Sequence, residues 1–228
     1  MIAKRLICWT AAAAFGFWVF AAEVFAEEQV LLADVKLDRT VQNAKRGAEI
    51  TVTTCLACHS IRHLKYRHLR NLGFTQKEMD RLRADKPIEA PLVSNLGPKQ
   101  LAAAFGITPP DLSLITIARP EGGRYLYSLL TGYYQTPAGD MDNHIFSGIR
   151  MPDVLGYASV SDPAERTKLE TKAKAIAVFL EWAADPHAGE RTRLGYFVMA
   201  YLIFLTILLY LIKRRVWHRI EQTPPIKE

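Results

Sequence analysis

The sequence predicts a mainly α-helical domain with long ordered loops, followed by one C-terminal transmembrane helix. Three observations lead there. Apolar residues recur at helical spacing in 38–54 and 163–184, whereas 87–123 and 133–161 are rich in Gly and Pro and show no sustained alternation. Residues 194–212 form a run of 19 without a charge. The length of 228 residues is that of one globular domain with its targeting and anchoring segments.

At the N-terminus, Lys4-Arg5 precede an apolar run over 6–22, and Val24-Phe25-Ala26 offers small residues where a signal peptidase reads. Residues 1–26 therefore read as a secretory signal, with an uncleaved anchor as the alternative. Residues 27–193 are the exported domain. Its first helix is expected over 38–54, capped by Asp38, with Val41, Ala44, Ala48 and Val52 on one apolar face and Cys55 directly at its end. Thr75-x-x-Glu78 is a capping box opening a second, strongly charged segment over 75–84, expected as a solvated surface helix. A short third helix, 124–130, lies between Gly122-Gly123 and Gly132. The fourth runs over 163–184: Asp162 caps it, Pro163 takes its first turn, Leu169, Ala173, Ile176 and Leu180 share its buried face, and Asp185-Pro186 stops it.

The apolar run 194–212 would span roughly 28 Å as a helix, about one hydrocarbon core. Tyr196, Tyr201 and Tyr210 lie at or toward its ends, and the basic tail 213–228 begins with Lys213-Arg214-Arg215. Basic flanks stay in the cytoplasm, so the tail is expected inside and 27–193 outside, in the periplasm. The formal net charge of +6 belongs mostly to the two ends, because 27–193 holds 22 Lys/Arg against 20 Asp/Glu. That balance argues for topology signalling and against a nucleic-acid-binding face.

Cys55-Leu56-Ala57-Cys58-His59 carries the chemistry. Two thiols separated by two residues can each form a thioether to one haem vinyl group, and the adjacent imidazole becomes the proximal iron ligand. A thioredoxin-like pair would want a βαβ context. A zinc site would want a second ligand pair, but the remaining cysteine, Cys8, lies in the signal run. A disulfide would leave His59 without a role. The motif thus predicts one covalently bound haem c. For the sixth iron position Met151, followed by Pro152 in a restrained loop, leads over Met141 and His144, and an open site is the further alternative.

Several segments then resemble the cytochrome c1 family, the haem subunit of the bacterial quinol:cytochrome c oxidoreductase (bc1) complex. These are Pro109-Pro110-Asp111-Leu112-Ser113-Leu114-Ile115, Ser128-Leu129-Leu130-Thr131-Gly132-Tyr133 and Phe179-Leu180-Glu181-Trp182-Ala183-Ala184-Asp185-Pro186, followed by the anchor and basic tail. The resemblance implies a class I cytochrome c fold, with the helix before Cys55 packed on the helix at 163–184 and Gly47 at their close approach. It implies His59 and Met151 as axial ligands, with Pro110, Arg119 and Tyr125 at haem-contacting positions and the arginine on a propionate. It further implies an electron carrier that is no enzyme by itself, taking electrons from the Rieske iron–sulfur protein and passing them to cytochrome c. Its partners would be cytochrome b and the Rieske protein, in a dimeric complex of the bacterial inner membrane. One departure stands out: family members usually follow the methionine with several prolines, whereas here Met151 follows Asp142-Asn143-His144-Ile145-Phe146-Ser147-Gly148-Ile149-Arg150 and precedes Pro152-Asp153. Alternatives are a membrane-anchored cytochrome c of another reductase or oxidase, and a haem enzyme or sensor with an exchangeable sixth ligand.

Overall fold

The computed structural model describes residues 32–221; the expected signal over 1–26 and the end of the basic tail lie outside the described residues. Helix α1 (Val41–Thr53) is capped by Thr40, whose hydroxyl accepts from the Asn43 amide. Asp38 is not the cap: its carboxylate accepts from the Asn43 side chain at 2.9 Å. The helix therefore starts later than expected, and its face is rotated. Ala44, Gly47, Ala48 and Thr51 are buried, while Val41 is 60% exposed.

The face of α1 is made of small residues because it lies against the longest helix of the domain, α5 (Pro163–Ala184). A Cβ on Gly47 would collide with the Ala175 carbonyl and lie 2.8 Å from Phe179 Cβ, so only glycine lets the two backbones approach this closely. Helix α5 has the expected bounds, with the Asp162 carboxylate accepting from the Glu165 amide at 3.0 Å and Pro163 in the first turn. Leu169, Ala173, Ile176 and Leu180 are buried as their spacing predicts, and Phe179 joins them fully buried.

Between these helices the chain makes several smaller elements. Strand β1 (Ile61–Lys65) pairs antiparallel with β2 (Pro91–Leu92). Helix α2 (Gln76–Arg83) has the predicted capping box, the Thr75 amide donating to Glu78 at 2.7 Å. It is less solvated than expected, since Met79 is fully buried and Lys45 pairs with Glu78 at 2.9 Å. Helix α3 (Pro98–Phe105) falls in a stretch read as loop, started by Pro98 in the first turn and ended by Gly106 at φ 71°. Helix α4 (Gly123–Thr131) buries Leu126, Tyr127 and Leu130 against α5.

The long stretch 133–161 holds a second small ladder, β3 (Tyr133–Gln135) against β4 (Met141–Asn143), with Tyr133 opposite Asn143. Finally α6 (Ala188–Glu221) is one continuous helix that contains the charge-free run and extends beyond it on both sides. It is long and apolar enough to cross a membrane, and its apolar side chains project away from the domain. A helix of this length rises roughly 50 Å, more than one hydrocarbon core. The architecture is mainly helical with ordered loops and one C-terminal apolar helix, as the sequence predicts.

The Gly47 contact is tested by Gly47→Ala. One methyl group forced between two packed backbones is expected to destabilise the domain by about 3 kcal/mol, read as a lower unfolding midpoint in thermal or chemical denaturation.

Candidate functional site

The end of α1 runs directly into a tight turn, Cys55–Ala57, in which the amides of Cys58 and His59 both donate to the Cys55 carbonyl, at 3.1 and 2.8 Å. The turn brings both thiols and the imidazole to the wall of one cleft of about 260 Å³. Ser94 secures it from the far side, its hydroxyl donating to the Ala57 carbonyl at 2.9 Å and its amide to the Ser60 hydroxyl at 3.1 Å. Cys55 and Cys58 are not joined in a disulfide. Burial pushes the Cys55 thiol up to about 11, an effect the Thr51 hydroxyl partly offsets.

His59 is oriented by the segment that follows α3. The Leu112 amide donates to the Ser60 carbonyl at 2.7 Å, the His63 amide to the Ser113 hydroxyl at 3.1 Å, and the Arg62 amide to the Asp111 carboxylate at 3.3 Å. Stitched along β1 in this way, the segment presents the Pro110 carbonyl 2.8 Å from His59 Nδ1. A carbonyl only accepts, so Nδ1 carries the proton and Nε2 keeps its lone pair. Burial lowers the His59 pKa, with the Pro110 hydrogen bond and Asp111 opposing. The imidazole is thus held neutral and in the tautomer a metal needs.

The other walls are apolar. Leu126, Leu129 and Leu130 of α4 and Ile176 and Leu180 of α5 line the cleft, joined by Phe105, Ile107 and Phe146. Met151, half-buried and packed against the core, lines it together with Ile149, Arg150 and Pro152. Arg119 and Tyr125 lie at the same cleft, the guanidinium 5.7 Å from the centre of the tyrosine ring. Cys55, Cys58, His59, Pro110, Arg119, Tyr125 and Met151 therefore come together around one cavity. Met141 and His144 do not line it: Met141 is exposed on β4, and His144 stacks on Tyr134 with ring centres 4.2 Å apart. The residues present fit a haem. Two thiols, one imidazole of fixed tautomer, a thioether and an apolar enclosure are what the macrocycle and its iron require.

Sequence reasoning missed Phe105, Ile107, Phe146 and Ile149, which sit in or beside stretches without clear periodicity. The contribution of α4 was readable, since Leu126, Leu129 and Leu130 recur at the spacing of one helical face. Of the basic residues that follow the motif, Lys65 and Arg67 share Glu89 as an ion-pair partner, and Arg62 pairs with Asp111.

The helical fold, its cleft and its C-terminal apolar helix are those of a membrane-anchored cytochrome c. The family model for the cytochrome c1 family matches residues 36–95 and 92–220, and the chain belongs to that family. Cytochrome c1 of Rhodospirillum rubrum is 29% identical over 222 residues, spanning 78% of this chain and 81% of the relative. Cytochrome c1-2, heme protein, mitochondrial, of Solanum tuberosum is 32% identical over 181 residues, spanning 67% and 69%. The ammonia monooxygenase gamma subunit of Nitrosomonas europaea is 26% identical over 214 residues, spanning 85% of this chain and 91% of the relative. Family membership makes the chain a haem-dependent electron-transport protein of the cytochrome bc1 complex rather than an enzyme on its own.

The loop carrying Met151 hangs on Asp142. Its carboxylate accepts from the amides of Asn143 and Gly148, both at 2.8 Å, and from the hydroxyls of Ser147 and Tyr134. These donors hold its pKa below the ordinary value of 3.8. A carboxylate lowered on folding stabilises the loop above its unfolded pKa and ceases to do so as pH falls through the folded one. Asp142→Ala is expected to speed proteolytic cleavage within 142–151 several-fold at neutral pH while helix content by circular dichroism is unchanged. In the unsubstituted chain, an acid-stable protease should find the same loosening below about pH 4.

Proposed function

We propose that this chain takes electrons one at a time from the Rieske iron–sulfur protein of the complex and passes them to cytochrome c. The observation that carries the proposal is the fixed His59 tautomer, 2.8 Å from the Pro110 carbonyl, on a cleft that Met151 also lines. Haem c, when bound, supplies reversible one-electron iron chemistry. Cys55 and Cys58 would hold it covalently as thioethers. His59 Nε2 and the Met151 sulfur would be its axial ligands, closing the iron to substrates and favouring electron transfer over ligand chemistry.

Arg119, beside Tyr125, would pair with a propionate, and Pro110 would serve through its carbonyl. The positive charges of Arg119 and Arg150 at the cleft favour the reduced, less positive state. The basic residues after 212 support a cytoplasmic C-terminus and a periplasmic haem domain over 27–193, anchored once in the inner membrane by 194–212 after a signal over 1–26. Cytochrome b and the Rieske protein would be its neighbours in a dimeric complex.

A second reading has one specific observation behind it: the relative from Nitrosomonas europaea, matched over 91% of its length, is named as a subunit of ammonia monooxygenase. A c1-type chain could then serve a different membrane oxidoreductase.

Purification of the tagged full chain in mild detergent separates the two readings. A co-purifying b-type cytochrome and Rieske protein are expected, and their absence would overturn the first. In the same preparation Met151→Leu should keep its haem, lose the weak near-infrared methionine-to-iron band, and lower the midpoint potential by at least about 59 mV, a tenfold change for one electron. Cys55→Ala with Cys58→Ala should remove haem stain from the band on a denaturing gel. An unchanged spectrum and potential in Met151→Leu would reassign the sixth ligand.

A further inference from the structure

One buried hydroxyl near the cleft has no part in the reading above. Tyr133 is 4% exposed, and its hydroxyl donates to the backbone carbonyl of Met151 at 3.0 Å. The two residues are 18 apart in sequence, and the chain between them includes the exposed turn around Gly139 and the segment 144–150. Both ends of that excursion are thereby pinned together.

Tyr133 is itself firmly placed. It pairs with Asn143 in the β3–β4 ladder, and the His144 amide donates to the Gly132 carbonyl at 3.0 Å. Asn143 is 1% exposed, with its side-chain amide donating to the Leu129 carbonyl at 2.8 Å and its oxygen accepting from the Ile145 amide at 2.9 Å. Leu129 belongs to α4 and lines the cleft. Side-chain hydrogen bonds at either end, joined by the pairing of Asn143 with Tyr133 in the ladder, thus link a cleft-lining helix to the main chain of Met151. Pro152 biases Met151 away from helical backbone, which leaves its carbonyl open to a donor from elsewhere in the chain.

We propose that Tyr133 is a positioning residue for Met151, its hydroxyl setting how far the methionine sulfur reaches into the cleft. The proposal rests on Met151 being the sixth ligand. A hydrogen bond of this kind is worth about a tenfold change in an equilibrium. With Met151 as the sixth ligand, losing this bond would raise the fraction of protein with the methionine detached by up to about tenfold.

The test uses detergent-solubilised full-length holoprotein carrying Tyr133→Phe, which keeps the ring that fills the core. Tyr127→Phe removes another buried phenol, from α4, that makes no hydrogen bond to Met151, and Met151→Leu removes the ligand itself. Covalent haem content and far-ultraviolet circular dichroism confirm folding. In ferric Tyr133→Phe the near-infrared band should weaken, cyanide should bind about tenfold faster, and the band should be lost at lower pH on alkaline titration. Tyr127→Phe should match the unsubstituted protein in all three.

If Tyr133→Phe matches the unsubstituted protein while Met151→Leu lacks the band, positioning by Tyr133 is overturned and the ligand assignment stands. If Met151→Leu keeps the band, the ligand assignment is wrong and the proposal falls with it. Equal effects of Tyr133→Phe and Tyr127→Phe would reduce Tyr133 to an ordinary core residue.

Discussion

The contact between α1 and α5 at Gly47 governs where every other part of the site can be. Helix α1 delivers Cys55 directly from its last turn, and α5 contributes Ile176 and Leu180 to the cleft wall. A slip of one residue along α1 would rotate the attachment turn by about 100° around the helix axis. The backbone approach that Gly47 permits prevents such a slip, since any neighbouring residue would bring a side chain against the Ala175 carbonyl. The pair Arg39–Glu181, with contacts of 2.7 and 2.9 Å, secures the chain just before α1 to the far end of α5. Glu181 in turn sits against Gly123, where a Cβ would come within 2.6 Å of the carboxylate, so α4 begins on the same support. Three helices are thereby referenced to one another before the loops are placed.

The loops complete the site through backbone hydrogen bonds more than through charge. Asp111 satisfies the amides of Arg62 and Ser113, and it is the Pro110 carbonyl that faces His59. The distinction has an electronic consequence. A carboxylate hydrogen-bonded to a ligating imidazole draws its proton and makes the ligand more basic, which stabilises the higher oxidation state of a bound metal. A neutral carbonyl fixes the tautomer with a smaller effect of that kind. Together with apolar walls and the nearby cations Arg119 and Arg150, this arrangement would favour the reduced state of a haem bound there. The near neutrality of residues 27–193 is consistent with a site tuned by local groups rather than by net charge.

What was legible in the sequence was what depends on short-range chemistry. The capping box at Thr75 and Glu78, the Asp162-Pro163 start of α5 and the Cys55-x-x-Cys58-His59 turn are each determined within a few residues. The seven proposed site residues lie in five separate segments, and spacing within the chain says nothing about their meeting. Resemblance to a family supplied that convergence, and the cleft shows the residues lining a common cavity. Asp38 was misread as a cap because Thr40, two residues later, competes for the same role with a hydroxyl better placed for the Asn43 amide. Helix α3 was obscured because the Gly97-Pro98 pair that starts it is also a turn signal. The ladder between β3 and β4 was unreadable, since three-residue strands carry too little alternation to register.

The Met151 loop shows why its unusual sequence need not mean a loose structure. A run of prolines restrains a loop by limiting the conformations of the unfolded chain, a contribution that is indifferent to pH. This loop has one proline after the methionine and is instead organised in the folded state by Asp142, Asn143 and Tyr133, each bonded to backbone groups of other segments. The two strategies position a methionine through different physics. Two side-chain-to-backbone hydrogen bonds, joined by the β3–β4 pairing, tie Met151 to α4, a connection that proline rigidity alone would not supply. They also make part of the loop dependent on an ionised carboxylate, introducing a sensitivity to acid that a proline-rich loop lacks. In this chain the loop is therefore held by a hydrogen-bonded scaffold more than by proline restriction, and that scaffold links one wall of the cleft to the other.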